Sequence, residues 1–235
     1  MANNNKNKKT ESKSSSKFIF WIIGLIAVGI LALIVFGNQS KDQKESKGIN
    51  IDYSNQPFLG EESAPVSIIE FGDYKCPNCK EFAQGVVPTI QKELVDTGKA
   101  KFYFMNDSFI NVDSTRSAKF AESVFHELGN EAFWKFHDLL FEKQPEDPQY
   151  EKIDVFTEKF LIDTLKEMAN DQEVEKVVKH FQSEKSKEAL DKDMNYVEKL
   201  GVTGTPTIFV NGKKFEGQNM DDLISMVEEA SKEKK

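Results

Sequence analysis

The chain has 235 residues, 39% hydrophobic and 30% charged, and its 19 Phe supply bulky core material for one large domain or two small ones. That content excludes wholesale disorder, and a formal net charge of −8 excludes a whole-chain electrostatic clamp on nucleic acid. Two cysteines are too few for a disulfide-stapled scaffold or a four-cysteine zinc site, and three scattered histidines form no metal-binding pattern.

Residues 1–17 are rich in Asn, Ser and Lys and read as a basic, disordered tail on the cytoplasmic side. Phe18 to Phe36 then runs 19 residues without a charge. As a helix this span is about 28 Å long, enough to cross the hydrocarbon core of a bilayer. A cleaved signal peptide is the rival reading, but its apolar region is shorter, about 7–15 residues. The span is therefore read as a retained transmembrane anchor, with the body of the chain outside the cytoplasm. Residues 37–54 form a polar linker. Residues 1–47 hold eight lysines against three acids, a net of +5, so the remainder carries −13 of the total of −8. An acidic body favours solubility and is not drawn to an anionic membrane surface.

Val66 to Phe71 is β-branched and aromatic and reads as a buried strand. A helix follows, with Pro77 in its first turn, where a missing N–H costs nothing. Phe82, Val86, Ile90 and Leu94 mark its buried face, Pro88 predicts a kink, and Gly98 ends it. Lys101 to Met105 alternates as a second strand. From Asp113 to Leu200 the periodicity is helical. Asp113 and Asn130 are placed as helix caps, Gly129 as a stop, and Asn170 with Glu173 as a capping box. Val174, Val177, Val178 and Phe181 form an apolar stripe on a long helix that Gly201 terminates. Strand character returns at Pro206 to Val210. Asn211-Gly212 then signals a hairpin with Lys213 to Glu216, and Asp221 to Ala230 is a last helix. A closing hairpin requires a mixed sheet.

Cys76-Pro77-Asn78-Cys79 stands between the first strand and its helix. Helix-terminal N–H groups and the macrodipole stabilise a thiolate there. Cys76, the more exposed, would form mixed disulfides. Cys79, one turn into the helix, would resolve them. Pro77 keeps the turn tight, and the Asn78 side chain is a hydrogen-bond donor toward the thiolate. A structural disulfide closing so short a loop would remove little chain entropy. A metal site would have two sulfurs without a third ligand. His126, His137 and His180 lie beside apolar residues and read as structural rather than as ligands. Phe120, Phe125, Phe133 and Phe136 read as core. Lys75 reads either as a source of local positive charge or as a solvated side chain.

The strand-CxxC-helix unit, the helical block and the segment GVTGTPTIFVNG together resemble the DsbA-like thioredoxin-fold thiol:disulfide oxidoreductases, in particular their membrane-anchored Gram-positive BdbD type. The resemblance covers residues 55–233. It implies an α/β thioredoxin-like fold with a mixed sheet and an inserted helical domain, preceded by one N-terminal transmembrane helix. The thioredoxin-like part would be residues 55–112 and 201–233, and the insertion 113–200. It implies that Cys76 and Cys79 are the redox pair and that Thr205-Pro206 is the cis-proline site. There a backbone edge would lie against the active sulfur, available to a substrate strand and unfavourable to metal capture. Glu70, six residues before Cys76, matches a buried acid that shuttles the proton of the resolving thiol; its alternative is a strand carboxylate paired with a lysine. Strong oxidants of the family often carry His where Asn78 stands, which leaves the oxidising strength open.

The function so implied is disulfide donation to unfolded exported proteins with cysteine pairs. A quinone-linked integral-membrane partner of DsbB type would re-oxidise the pair. The cysteines carry the electrons, so no organic cofactor is implied, and neither is nucleic acid. A structural calcium ion occurs in some Gram-positive relatives, with no ligands assigned to residues here. With no extra dimerisation domain in view, a monomer is expected. Two other readings stand beside this one: a reductase or isomerase of the same fold, and a non-enzymatic thiolate metal carrier.

Overall fold

A computed structural model describes residues 49–233. The basic tail, the expected anchor over 18–36 and most of the linker lie outside the described residues. Among the described residues no helix is long and apolar enough to cross a membrane.

Five strands form one mixed sheet: β1 (Phe58–Leu59), β2 (Val66–Gly72), β3 (Ala100–Asn106), β4 (Thr207–Val210) and β5 (Lys213–Lys214). Their order across the sheet is β1-β3-β2-β4-β5. Only β2 and β3 run parallel, with Ile68 opposite Phe102. β4 pairs antiparallel with β2, placing Ile68 opposite Val210. β1 is an addition to the expected set: two residues pair with Phe102 and Tyr103, too short a run to show periodicity.

Both faces of the central strand β2 are covered, so all seven of its residues are buried. Alternation sends Val66, Ile68 and Glu70 to one face and Ile69 and Phe71 to the other. The first face joins Phe102, Phe104, Ile208 and the helices in the main core. The second packs on Tyr103, Met105, Phe209 and Tyr196. Gly72 is required by close approach, since a Cβ there would sit 2.5 Å from the Phe104 ring.

The helix after β2 alternates between two windings: α1 (Pro77–Glu81), a π segment (Phe82–Val86), α2 (Val87–Ile90) and a second π segment (Gln91–Val95). The apolar repeat explains this. A strict four-residue spacing drifts by about 40° per step on a helix of 3.6 residues per turn. Wider π turns reverse the drift and hold Phe82, Val86, Ile90 and Leu94 toward the core. The interruption expected at Pro88 takes this form: the π turn precedes the proline, which sits at the start of α2 where its missing N–H is tolerated.

The helical insertion comprises α3 (Val112–Leu128), α4 (Asn130–Glu142), a 3₁₀ turn (Pro148–Lys152), α5 (Glu158–Leu165), α6 (Asp171–Phe181) and α7 (Glu184–Leu200). Phe120, Phe133 and Phe136 are fully buried in the main core, as expected, and Phe125 packs against it. The Asn170–Glu173 capping box is present, and Gly129 and Gly201 end their helices at positive φ. α8 (Met220–Lys232) closes the fold.

Two caps differ from expectation. Asn111, not Asp113, caps α3, in a reciprocal box with Ser114. Asp113 is instead fully buried and ion-paired. Asn130 begins α4 inside the helix, and its amide is spent on the N–H and C=O of Phe58, the β1 residue it pins. The long helix expected up to Gly201 is two helices. In the first turn of the second helix, Ser186 Oγ donates back to the carbonyls of Phe181 and Ser183, satisfying groups that the break exposes.

Candidate active site

Cys76 is the N-cap of α1, with extended backbone (φ −82°, ψ 121°), so its sulfur stands where the free N–H groups of the first turn converge. The turn is held from both sides: Cys76 N–H donates to Asp73 O (2.9 Å), and the Gln144 amide donates to the carbonyls of Tyr74 and Cys76. Asp73 accepts the N–H of Lys75, Phe109 and Ile110, tying the loop to the chain after β3.

Both cysteines are free thiols. Cys76 keeps a sliver of exposure at 6%, whereas Cys79 has none. Thr205 and Pro206 are joined by a cis peptide bond, and the Cys76 thiol donates to Thr205 O at 3.4 Å. That carbonyl favours the protonated thiol. The Cys79 thiol first, then the Thr205 side chain and the N–H groups of Cys79 and Asn78, favour the thiolate and outweigh burial, which opposes it. They bring Cys76 down from 9.0 to about 6. The helping group of Asn78 is thus its backbone amide, while its side chain is exposed, which corrects the expected side-chain donor. Cys79 moves the opposite way. Burial, the neighbouring sulfur and Glu70 push its thiol far up.

Glu70 is fully buried on the sheet face beneath α1, and neither carboxylate oxygen has a hydrogen-bond partner. Burial, then the charge of Cys76, raise it well above the usual carboxylate range. No lysine pairs with it among the described residues, which removes the ion-pair alternative.

Lys75 is the largest departure. It is fully buried, not solvated, and its ammonium is spent away from the sulfur. It donates to Asp113 Oδ2 (3.0 Å), Tyr150 O (2.5 Å) and Ile153 O (2.7 Å). Tyr150 in turn donates its hydroxyl to Lys75 O (2.8 Å), and Asp113 also accepts the N–H of Val155 and Phe156. This knot ties the residue before Cys76 to the insertion. Neither Gln144 nor Asp113 carries a sequence signal for its role, because each acts across dozens of residues.

His137 is buried against Tyr74, Phe104 and Phe141, with Nδ1 3.1 Å from the Tyr74 hydroxyl. Burial takes it down to about 3, a neutral core histidine as expected.

Comparison with known proteins places this geometry. Residues 52–229 match the family model described as thioredoxin. The chain is 34% identical over 205 residues to a probable disulfide bond formation protein D of Bacillus anthracis, covering 85% of this chain and 90% of that one. It is 36% identical over 180 residues to the disulfide bond formation protein D of Bacillus subtilis, covering 77% and 78%. The crystal structure of oxidised BdbD from B. subtilis superposes with a TM-score of 0.70 at 34% identity, over 79% of this chain and 97% of that one. Chlamydia trachomatis DsbA shares the fold, with a TM-score of 0.62 at 24% identity, over 74% and 90%. The chain belongs to the thioredoxin-fold, DsbA-like family of disulfide bond formation protein D.

Proposed function

We propose that this chain is an extracytoplasmic protein disulfide oxidase that works through Cys76 and Cys79. The observation that carries the reading is the asymmetry of the pair: one thiol is brought down to about 6, and its neighbour is driven far up beneath it. In the oxidised enzyme a substrate thiolate attacks Cys76 Sγ. The Cys76–Cys79 bond breaks, and Cys79 leaves and takes up a proton. A second substrate thiolate then attacks the substrate sulfur of the mixed disulfide. Cys76 departs as a stable thiolate, and the substrate leaves with a disulfide and two electrons fewer.

Glu70 is the proton carrier for Cys79 in this account. It is buried, its proton affinity is raised well above that of an ordinary carboxylate by burial and then by the charge of Cys76, and it has no competing hydrogen bond. Pro77 shapes the turn, and Thr205 with Pro206 offers the backbone edge on which a substrate strand pairs. A cavity of about 360 Å³ beside β4, lined by Phe82, Val86, Ile208 and Phe215, suits apolar stretches of an unfolded chain. Re-oxidation falls to a quinone-linked membrane protein, and residues 18–36 anchor the enzyme, as a monomer, at the outer face of the membrane. In this reading residues 55–112 with 201–233 make up the thioredoxin-like domain and residues 113–200 its helical insertion. No organic cofactor enters the exchange.

A structural calcium ion fits this reading at one place. Gln56, Asn106, Glu122 and Asp193 form a buried, oxygen-rich cluster in which Gln56 Oε1 and Asn106 Oδ1 lack partners. Burial comes first in raising both carboxyls, Asp193 to about 6, and their proximity adds to it for Glu122. Hard oxygen donors with surplus negative charge suit calcium. It would brace β3 against α3 and α7. The test of the redox reading is the oxidation of a reduced, unfolded cysteine-pair protein by the full-length chain. Turnover must be lost in both Cys76→Ala and Cys79→Ala, and Cys79→Ala whose Cys76 is first loaded as a mixed disulfide with thionitrobenzoate must capture a single-cysteine substrate on Cys76, releasing the thionitrobenzoate as leaving group.

A further inference from the structure

The ends of α3 and α6 bring together three side chains that disulfide exchange does not use. His126 and His180 stack with ring centroids 4.1 Å apart, and His126 Nδ1 lies 3.0 Å from Glu127 Oε1. The donor atoms of His126, Glu127 and His180 all lie within 4.8 Å of one another.

The hydrogen bonds around His180 favour one tautomer. Ser123 Oγ donates its one proton to Lys119 O (2.8 Å), so toward His180 Nδ1 (3.0 Å) it accepts. His180 therefore carries its proton on Nδ1 and presents a lone pair at Nε2. That Nε2 belongs to a side chain only 6% exposed and has no partner. A buried lone pair without a donor is costly in a core position and useful in a ligand. Holding the far nitrogen by a second group is the arrangement that orients metal-binding histidines.

We propose that His126, Glu127 and His180 form a site for a borderline divalent transition metal such as Zn²⁺, pinning the C-terminal ends of α3 and α6. Two imidazoles and a carboxylate select zinc-like ions over calcium, unlike the all-oxygen cluster nearby. Ligand bonds of about 2.0–2.1 Å place tetrahedral donor atoms about 3.3 Å apart. Closing from within 4.8 Å needs a shift on the order of 1 Å, which His126 can make because its side chain is 56% exposed. The site opens into a cavity of about 660 Å³, which leaves room for a water or an added ligand in the fourth position.

The test uses the full-length chain with its cysteines oxidised, so that thiolates cannot bind metal, in saturating Ca²⁺, so that the oxygen cluster does not compete. Zn²⁺ is titrated by calorimetry and Co²⁺ by visible absorption. One ion per chain is expected. His126→Ala and Glu127→Gln should each weaken it by about tenfold or more, and Ser123→Ala by about tenfold. Redox turnover should be unchanged in all three. His126 and Glu127 lie at the surface, so these variants report on binding even if loss of the buried His180 impairs folding. Affinity unchanged in His126→Ala and Glu127→Gln, or binding weaker than about 1 mM, overturns the proposal.

Discussion

Acidification should silence Cys76 near pH 6 rather than near pH 9. A thiol at 9.0 is about 1% ionised at pH 7, and one at about 6 is roughly 90% ionised. Because the folded value lies below the unfolded one, the reduced fold gains stability as pH rises. The gain is complete above about 9, at most about 4 kcal/mol, and is lost as pH falls through about 6. At pH 7 it amounts to at most about 1.4 kcal/mol, less whatever solvent screening at the mouth of the site removes. That is up to about 30 mV toward a stronger oxidant. The assay is iodoacetamide alkylation of the reduced full-length chain across this pH range, with the modified sulfur located by mass spectrometry. Alkylation should fall on Cys76 with a midpoint near 6. A midpoint near 9, or equal labelling of Cys79, would refute the account of thiolate stabilisation.

Three other outcomes follow from the same contacts. Glu70→Leu removes a buried carboxyl without partners, so urea denaturation should show a gain of about 1–3 kcal/mol. Rapid-mixing kinetics should show exchange slowed by about a hundredfold, because the proton of Cys79 loses its carrier. Lys75→Met strands Asp113 and two backbone carbonyls in the core, and should cost about 3–5 kcal/mol in the same melt. Pairing it with Asp113→Asn should recover only part, since Asp113 also holds the amides of Val155 and Phe156. Calcium chelation should lower the melting temperature of the wild-type chain and leave that of Glu122→Gln/Asp193→Asn unmoved.

What the sequence disclosed was what is local. Strands β2, β3 and β4 announce themselves by β-branched and aromatic runs, and Cys76, Cys79 and Pro206 by short motifs. Glu70 was reached through the family resemblance, and the fold places it on the sheet face beneath α1, fully buried. Interactions across distant segments were not legible. Asp113 is a residue type that caps helices, and only the fold reveals that it meets Lys75 across 38 residues in a fully buried site. Asn130 likewise left its cap for a strand 72 residues earlier. The π turns follow from a four-residue apolar period that an ideal α-helix cannot satisfy, a signal present in the sequence but easily read as ordinary amphipathicity. β1 is two residues long and exists because β3 offers it an edge.

The central claim is the direction of electron flow, and the reduction potential of the Cys76–Cys79 pair tests it most directly. The full-length chain would be equilibrated with glutathione buffers and its dithiol fraction counted by thiol labelling, with Cys79→Ala as the control that cannot form the pair. The account predicts a potential of about −150 mV or more oxidising, where the disulfide is donated to substrates. A value below about −230 mV would contradict it and make the protein a reductase.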